Sequence, residues 1–163
     1  MSKEAVFLSL GSNLGERESN LHRAVEALRC CLQQIRCSSL YETRPLYVLE
    51  QPRFLNMVAT GFCALSPEEL LQRVLATELD LGRDRTRHVA KGPRVIDIDI
   101  LLFGERIVRR DNLSIPHPGL CERQFVLIPL LELEPELVDP VRRRPYRECL
   151  EQLDDQGVYI FRA

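Results

Sequence analysis

The stretch Gly92-Pro93-Arg94-Val95-Ile96-Asp97-Ile98-Asp99-Ile100-Leu101-Leu102-Phe103 combines β-branched and aliphatic residues with two acids. The apolar run is too short for a typical helix, so it predicts a strand. Side chains alternate between the two faces of a strand, so Asp97 and Asp99 are expected on one face, roughly 6.6 Å apart along the chain. The sequence therefore predicts a strand that presents two carboxylates together.

Two carboxylates on one strand face indicate a cation site, because a buried carboxylate without a partner is strongly disfavoured. Oxygen ligands on a rigid strand suit Mg²⁺, which takes one or two protein carboxylates together with substrate phosphates. The alternative is a strand whose acids only keep one face solvated. The pattern of alternating Ile and Asp does not by itself separate the two interpretations.

The segment just before this strand, residues 83–94, is strongly basic. One acid, Asp84, stands against five basic residues, which are Arg83, Arg85, Arg87, Lys91 and Arg94. Phosphoryl transfer needs a cation on the bridging oxygens and arginines that hold the phosphate. A solvated basic loop is the alternative for this segment alone, but the loop and the acidic strand together favour a phosphate site.

Composition predicts a single domain and argues against some classes of partner. With 163 residues and 45% hydrophobic content, the chain can bury one core but not two ordinary ones. A net charge of -2 argues against general binding to nucleic acid or acidic membranes. The apolar run Ala5 to Leu10 is too short for a signal peptide core, and no stretch approaches a membrane span, so we expect a cytoplasmic protein.

The cysteines are expected to be reduced thiols that serve packing. None of them forms a Cys-x-x-Cys pair, which makes a zinc site improbable, and Cys30 and Cys31 fall within an apparent helix. The six cysteines are Cys30, Cys31, Cys37, Cys63, Cys121 and Cys149.

Apolar periodicity predicts the remaining elements. Helix two has a clear start, with Ser66 as N-cap, Pro67 at its first position and Glu69 three residues after the cap. The other expected elements are a strand at 5–10, a helix at 16–33, strands at 35–41 and 54–63, short helices at 125–133 and 145–153, and a strand at 158–161. The segment 42–53 is a long loop of the kind that lines a pocket, and 112–125 is expected to be irregular.

The order strand, helix, strand, strand, helix, strand predicts an α+β domain of the ferredoxin-like kind. We expect its helices on one face of a mostly antiparallel sheet.

Five motifs resemble those of the 6-hydroxymethyl-7,8-dihydropterin pyrophosphokinase family, folate-pathway enzymes that move diphosphate from ATP to a pterin alcohol. The resemblance covers nearly the whole chain and implies a single ferredoxin-like domain with long active-site loops. The motifs are Leu10-Gly11-Ser12-Asn13-Leu14, Tyr41-Glu42-Thr43-Arg44-Pro45-Leu46, Gln51-Pro52-Arg53-Phe54-Leu55-Asn56, Gly92 to Asp99, and Ile115-Pro116-His117 followed by Arg123 and Phe125.

The resemblance implies ATP as co-substrate and two Mg²⁺ ions. We also expect a monomer that engages neither membrane nor nucleic acid. The implied metal ligands are Asp97 and Asp99, and the implied catalytic residues are these two acids with Arg83 and Arg94. The implied ATP-binding residues are Glu78, Arg83, Arg94, Ile98, His117 and Arg123. The implied pterin-binding residues are Thr43, Pro45, Leu46, Phe54, Asn56, Asp97 and Phe125, with Phe54 and Phe125 on either side of the ring.

One departure lies in the basic loop, where this chain has Ala90-Lys91 and family members often carry Arg-Trp. The alternative enzyme class is a nucleotidyltransferase, in which a Gly-Ser turn precedes an Asp-x-Asp strand. Asp97 follows Ser12 by 85 positions, which is too long a separation for that class. A ferredoxin-like RNA-binding module is disfavoured, because aromatic residues form only 6% of the chain and no strand carries a stacking motif.

Overall fold

The computed structural model describes residues 2–45, 50–83 and 92–162. Within those ranges the strands are β1 (Glu4–Ser12), β2 (Gln33–Cys37), β3 (Tyr41–Thr43), β4 (Phe54–Cys63), β5 (Asp97–Phe103), β6 (Val108–Arg110), β7 (Leu113–Ile115) and β8 (Val158–Ile160). The α-helices are α1 (Arg17–Leu28), α2 (Pro67–Asp80), α3 (Gln124–Leu133) and α4 (Tyr146–Glu151), and a 3₁₀ helix covers Leu120–Glu122.

The main sheet has the strand order β5-β1-β4-β3-β8, and β2 also pairs with β4. All ladders between these described strands are antiparallel. β1 and β4 lie side by side at the centre, with β5 beyond β1 and the β2 and β3 segments beyond β4. This arrangement confirms the α+β class and the ferredoxin-like order that the sequence predicts.

The helices lie on both faces of the sheet, so the expectation of helices on one face is wrong. Val6, Leu8 and Leu10 of β1 belong to a core cluster with residues of α1 and α2. Phe7, between them, belongs to a second cluster with residues of α3 and α4. Because β1 and β5 are buried on both faces, their apolar residues run almost continuously and do not reveal how many faces are covered.

The predicted strand at 35–41 is two shorter strands, β2 and β3. Ser38 interrupts it, since its backbone N–H donates to Val58 O at 2.9 Å and its Oγ accepts from Val58 N at 2.9 Å. A serine hydroxyl that bonds to the neighbouring backbone competes with regular ladder pairing. The sequence window gives no sign of this break.

Helix α2 begins as predicted, whereas α1 is shorter than predicted. Ser66 Oγ accepts from Glu69 N at 3.2 Å, and Glu69 Oε2 accepts from Ser66 N at 2.8 Å, which completes the capping box. Helix α1 ends at Leu28, and a turn with a hydrogen bond from Cys31 N to Leu28 O at 3.1 Å redirects the chain into β2. Cys30 and Cys31 therefore lie outside the helix.

Two further expectations are corrected in the C-terminal half. The segment expected to be irregular contains β7, which pairs with β6 in a small second sheet. Cys121 and Cys149 form a disulfide, although all six cysteines were expected to be reduced. A separation of 28 residues with no short motif gives the sequence no signal for this pair.

Across the described ranges, no helix combines the length and apolar character that spanning a bilayer requires.

Candidate active site

The two acids of β5 share one face of the sheet, as the sequence predicts. Ile98 between them is buried in the cluster formed with α1 and α2, whereas Asp97 and Asp99 are half-buried on the other face. Asp97 lies opposite Gly11 of β1, and Asp99 lies opposite Ser9. The Ile98 side chain therefore points away from the acidic face, although the resemblance implies Ile98 as an ATP-binding residue.

Residues implied for the pterin lie beside the acids because three neighbouring strands meet at Gly11. Gly11 pairs with Asp97 on one side and with Asn56 on the other. Strands are spaced about 4.8 Å apart, so Asn56 and Asp97 stand roughly 10 Å from each other across the sheet. A Cβ on Gly11 would lie 2.7 Å from Asn56 Oδ1, so glycine leaves the space that the amide occupies.

Asn56 is held by Thr43, another residue that the resemblance implies for pterin binding. Its Nδ2 donates to Thr43 Oγ1 at 2.8 Å, and both side chains are buried. Pro45 is also buried. Leu46, the other residue implied for this part of the site, lies outside the described residues.

Arg83 reaches the acidic face from the end of α2. Its Nη1 donates to Asp97 Oδ1, to Ile96 O at 3.1 Å and to Glu78 Oε2 at 3.3 Å. Gly82, which precedes it, has φ of +101°, a conformation that favours glycine and lets the chain leave the helix toward β5. Arg83 therefore brings a positive charge between two carboxylates.

Glu78 joins α2 to β5. It is 2% exposed, and its Oε2 accepts from Ile98 N at 3.1 Å while pairing with Arg83. The resemblance implies a nucleotide-side carboxylate at this position. The contacts of Glu78 position Arg83 and the start of the acidic strand.

Arg94 lies between the acids and an aromatic ring. Its Nη1 is 3.9 Å from Asp97 Oδ2, and its guanidinium lies over the Phe54 ring at 5.0 Å from the centroid. Such a cation–π contact is stabilising and orients the arginine. One residue implied for phosphate and one implied for pterin are thus in direct contact.

Asn13, to which the sequence analysis assigned no role, connects Arg94 to the segment before β4. Asn13 Oδ1 accepts from Arg94 N at 2.8 Å, and its Nδ2 donates to Gln51 Oε1 at 2.9 Å and to Pro52 O at 3.0 Å. Asparagine suits this position because one amide group donates and accepts together. Its place in the Gly11-Ser12-Asn13 turn is the only sequence signal for this role.

Arg123 and Phe125 form the second contact between an arginine and an aromatic ring. The Arg123 guanidinium lies over the Phe125 ring at 5.9 Å from the centroid, at the start of α3. A Cβ on Gly119 would lie 2.7 Å from Arg123 Nε. Gly119, which the sequence analysis did not single out, therefore makes room for Arg123.

His117 is held neutral beside Arg123. Burial and the nearby Arg123 charge lower its pKa to about 4, and Asp97 opposes them only in part. Its Nδ1 accepts from Gly119 N at 3.0 Å, so the proton of the neutral ring belongs on Nε2. His117 can therefore donate a hydrogen bond to an anionic oxygen without carrying a charge.

The protein groups suit Mg²⁺ only in combination with a substrate. Among the residues that the structure describes, no group of three His, Cys, Asp or Glu side chains could hold a metal ion. Asp97 and Asp99 supply two carboxylates on one face, which is the donor set that Mg²⁺ takes when substrate phosphates complete its coordination. The remaining basic residues of the loop, Arg85, Arg87 and Lys91, lie outside the described residues.

Residues 7–135 match the family described as 7,8-dihydro-6-hydroxymethylpterin-pyrophosphokinase (HPPK). The chain belongs to this family. It is 40% identical over 143 residues to the 2-amino-4-hydroxy-6-hydroxymethyldihydropteridine pyrophosphokinase of Aquifex aeolicus, and the match covers 88% of each chain. Its resemblance to the HPPK family, inferred from five motifs, is confirmed.

Other relatives are much longer proteins. The chain is 40% identical over 157 residues to the folic acid synthesis protein fol1 of Schizosaccharomyces pombe, and the match covers 95% of this chain but only 21% of that protein. A fol1 protein of Pneumocystis carinii matches at 39% identity, again over 21% of its length. The chain thus spans about a fifth of these two curated relatives.

Solved HPPK-DHPS structures have the same fold. The wild-type Plasmodium falciparum protein with pterin and p-hydroxybenzoate superposes with a TM-score of 0.73 at 16% identity, covering 93% of this chain and 42% of that chain. At this identity the likeness concerns the fold alone, and it agrees with the ferredoxin-like order.

Proposed function

We propose that this HPPK-family chain transfers diphosphate from ATP to the hydroxymethyl group of 6-hydroxymethyl-7,8-dihydropterin, giving AMP and the pterin diphosphate in folate biosynthesis. The observation that carries the proposal is the junction at Gly11, which pairs with Asp97 on one side and Asn56 on the other. An amide suited to a pterin edge and an acid suited to a phosphate-bound cation thereby stand on the two strands that flank β1. A pterin and an ATP molecule bound at these two residues would have their reacting groups close together.

The pterin is proposed to lie between Phe54 and Phe125. Aromatic stacking of this kind adds about 0.5 to 1.5 kcal/mol beyond the area buried. Asn56 would recognise the ring edge, since its amide both donates and accepts, and Thr43 holds that amide by the 2.8 Å hydrogen bond. Pro45 and Leu46 complete the proposed pterin site, with Asp97 at the end that carries the hydroxymethyl group.

The triphosphate is proposed to contact Arg83, Arg94, His117 and Arg123. The arginines would stabilise the charge that develops on the transferred group, and His117 would donate from Nε2. Glu78 supports this side by fixing Arg83, and Ile98 contributes through its backbone bond to Glu78. Asp97 and Asp99 would hold two Mg²⁺ ions, which neutralise phosphate oxygens when bound together with ATP.

The proposed reaction is an in-line displacement at the β-phosphorus. The hydroxymethyl oxygen attacks, the bond from the β-phosphorus to the α,β-bridging oxygen breaks, and AMP leaves. The chain would act by positioning and by electrostatic stabilisation, so the arginines and aspartates rank as the catalytic residues.

The test is to incubate the protein with ATP, Mg²⁺ and 6-hydroxymethyl-7,8-dihydropterin and to resolve the products by chromatography. AMP formed in step with a diphosphorylated pterin is expected. ADP with a monophosphorylated pterin would mean that the attacked phosphorus is wrong, and turnover without pterin dependence would overturn the acceptor.

Matched aspartate variants test the site itself. Asp97→Asn and Asp99→Asn are expected to lower kcat by at least 10²-fold, the scale seen when a preorganised charge-stabilising group is lost. Asp80→Asn, at the exposed end of α2, serves as control and should retain turnover. Near-normal turnover by Asp97→Asn with Mg²⁺ would contradict the metal assignment.

We further propose that residues 1–163 act as one domain, as a cytoplasmic monomer on small-molecule substrates and not on nucleic acid or membranes. The net charge of -2 supports the last point, since nucleic-acid and acidic-membrane partners favour basic proteins. Light scattering after size exclusion tests the monomer, and cell fractionation tests the location.

A further inference from the structure

The disulfide between Cys121 and Cys149 joins the segment that carries His117 and Arg123 to a separate helix. Cys121 lies in the 3₁₀ helix Leu120–Glu122, and Cys149 lies in α4. Their Cα atoms are 5.3 Å apart, within the range in which two cysteines bond without backbone movement. The backbone therefore already holds the pair at bonding distance.

The segment around Cys121 is part of the candidate active site. Leu120 N donates to His117 O at 3.1 Å, and Val126 N donates to Arg123 O at 3.0 Å, so His117 and Arg123 flank the 3₁₀ helix. Leu120 packs with Tyr146 of α4 in the second core cluster. A covalent bond from Cys121 to α4 consequently restrains both residues proposed for the triphosphate.

A guanidinium lies against both sulfur atoms. Arg142 Nη2 is 2.6 Å from Cys121 Sγ and 2.8 Å from Cys149 Sγ, while its Nε donates to Asp139 Oδ2 at 2.9 Å. A neighbouring arginine favours the thiolate, which is the form that attacks a disulfide. Arg142 thus supplies, next to both cysteines, the positive charge that favours thiol–disulfide exchange.

A small molecule can reach Cys121. Both cysteines are half-buried, and Cys121 lines a cavity of about 660 Å³ between the β6–β7 hairpin and the 3₁₀ helix. Three arginines and three acids line this cavity, namely Arg109, Arg110, Arg142, Asp111, Glu122 and Asp139. A small disulfide that carries both amino and carboxylate groups can therefore find partners of opposite charge there.

We propose that Cys121 and Cys149 form a thiol–disulfide exchange site for a low-molecular-weight disulfide that carries charged groups, and that their redox state sets how firmly the nucleotide side of the active site is held. The Cys121 thiolate attacks one sulfur of the reagent, forms a mixed disulfide and releases one thiolate. The Cys149 thiolate then attacks Cys121 Sγ and releases the second. Two electrons pass to the reagent, and the two cysteine protons end on its two released thiols.

Reversibility follows from the compartment proposed for the chain. Disulfides in a reducing cytoplasm are rare and usually act as transient or sensing pairs. The regulatory half of the inference rests on the proposed function, because it assigns His117 and Arg123 to ATP. Reduction would remove the covalent link between the 3₁₀ helix and α4, leave only the packing of Leu120 with Tyr146, and loosen the preorganised side of the site, which weakens binding.

The exchange site is tested on the full chain equilibrated in glutathione buffers of graded ratio, followed by acid trapping and mass measurement. Wild type is expected to lose about 2 Da as the buffer becomes oxidising, the signature of one disulfide. Cys149→Ser should instead trap one glutathionyl group on Cys121. Cys37→Ser, which removes an exposed thiol on β2, is the control and should behave as wild type. A pair that stays reduced throughout, or Cys149→Ser that still loses the 2 Da, would overturn the exchange site.

The role of Arg142 is tested by exchange rates. Arg142→Gln is expected to slow oxidation by glutathione disulfide about tenfold, because the thiolate loses its neighbouring charge. Arg143→Gln removes the adjacent exposed arginine and should leave the rate unchanged. Equal rates in the two variants would overturn this part of the inference.

The regulatory half is tested by calorimetry with a non-hydrolysable ATP analogue and Mg²⁺. The reduced protein and the Cys121→Ser/Cys149→Ser variant are expected to bind at least about threefold more weakly than the oxidised protein. Equal affinities would overturn the coupling. If neither redox state binds the analogue, the proposed function fails, while the mass measurement still decides whether the pair exchanges.

Discussion

Replacing Asn13 by alanine should damage catalysis more than stability alone explains. Asn13 is 2% exposed, and its amide makes three hydrogen bonds that tie the turn after β1 to Arg94 N, Gln51 Oε1 and Pro52 O. Arg94 contacts Asp97 and the Phe54 ring. Loss of the amide leaves the backbone of a proposed catalytic arginine with only the bond from Asn13 N to Arg94 O at 3.1 Å, and it frees the segment that leads into Phe54 from this turn.

The cost of Asn13→Ala follows from its contacts. A hydrogen bond contributes about 1 kcal/mol net, so three of them amount to roughly 3 kcal/mol of unfolding free energy. A displacement of about 1 Å at a catalytic group can cost about 10²-fold in rate. We expect kcat/KM to fall by about that factor while unfolding by urea shows the loss of stability.

Asn20→Ala is the matched control. Asn20 of α1 is also a buried asparagine, and its Nδ2 donates to Ser12 Oγ at 3.1 Å and to Leu14 O at 2.9 Å, on either side of Asn13. These contacts do not involve Arg94 or the segment before β4. Asn20→Ala should lose about 2 kcal/mol of stability by the same reasoning but keep kcat/KM within about threefold.

A third variant separates the two sides of the Asn13 amide. Asn13→Asp keeps an acceptor for Arg94 N but places a carboxylate oxygen against Pro52 O, where the amide donated. Its kcat/KM should lie between those of wild type and Asn13→Ala. The reasoning is refuted if Asn13→Ala and Asn20→Ala lose activity equally once each is assayed well below its unfolding midpoint.

Three other perturbations test single contacts. Gly119→Ala should displace Arg123, because the added Cβ would lie 2.7 Å from Arg123 Nε. We expect the KM for ATP to rise by about tenfold, and an unchanged KM would show that Arg123 does not need this space. Phe54→Leu keeps apolar volume but removes the ring, so calorimetry should show pterin binding weakened by about 2- to 12-fold with ATP affinity nearly unchanged; equal losses for both ligands would contradict the stacking role. Since the pKa of His117 is lowered to about 4, the unfolded chain binds a proton that the folded chain refuses between that pH and about 6.5. The neutral His117 ring therefore contributes fully to the free energy of unfolding above pH 6.5, and this contribution is lost as the pH falls, by at most about 1.4 kcal/mol per pH unit. In urea unfolding, the stability of His117→Asn should consequently change less steeply with pH than that of His22→Gln, a control at an exposed histidine.

The fold was largely predictable because its signals are local. The capping box at Ser66 and the alternation in β5 each specify an element within a few residues, and the element order then restricts the topology. The break at Ser38 depends on Val58, twenty residues away in sequence, and the end of α1 depends on where β2 must begin. Contacts of that kind are set by tertiary packing and leave no periodicity to detect.

The candidate site was predictable where chemistry is concentrated in sequence. Asp97 and Asp99 are two residues apart, and strand alternation alone places them together. Asn13 and Gly119 matter because of partners that lie 81 and 4 residues away, and neither has a side chain that signals function. The motif resemblance named the residues around them but assigned these two no role.

Asp97 is paired with arginines of the protein itself. Arg83 is shared by Glu78 and Asp97, and Arg94 also faces Asp97, so the acid that would hold a cation is already neutralised by the protein's own arginines. If a cation replaced Arg83 as the partner of Asp97, the Arg83 charge would be left unpaired in a partly buried site, which costs free energy. The exchange is favourable only if Arg83 gains another anion at the same time. A phosphate that arrives together with the cation supplies that anion. The pairing of Arg83 with Asp97 would therefore favour binding of the proposed cation and nucleotide as one complex over binding of either alone.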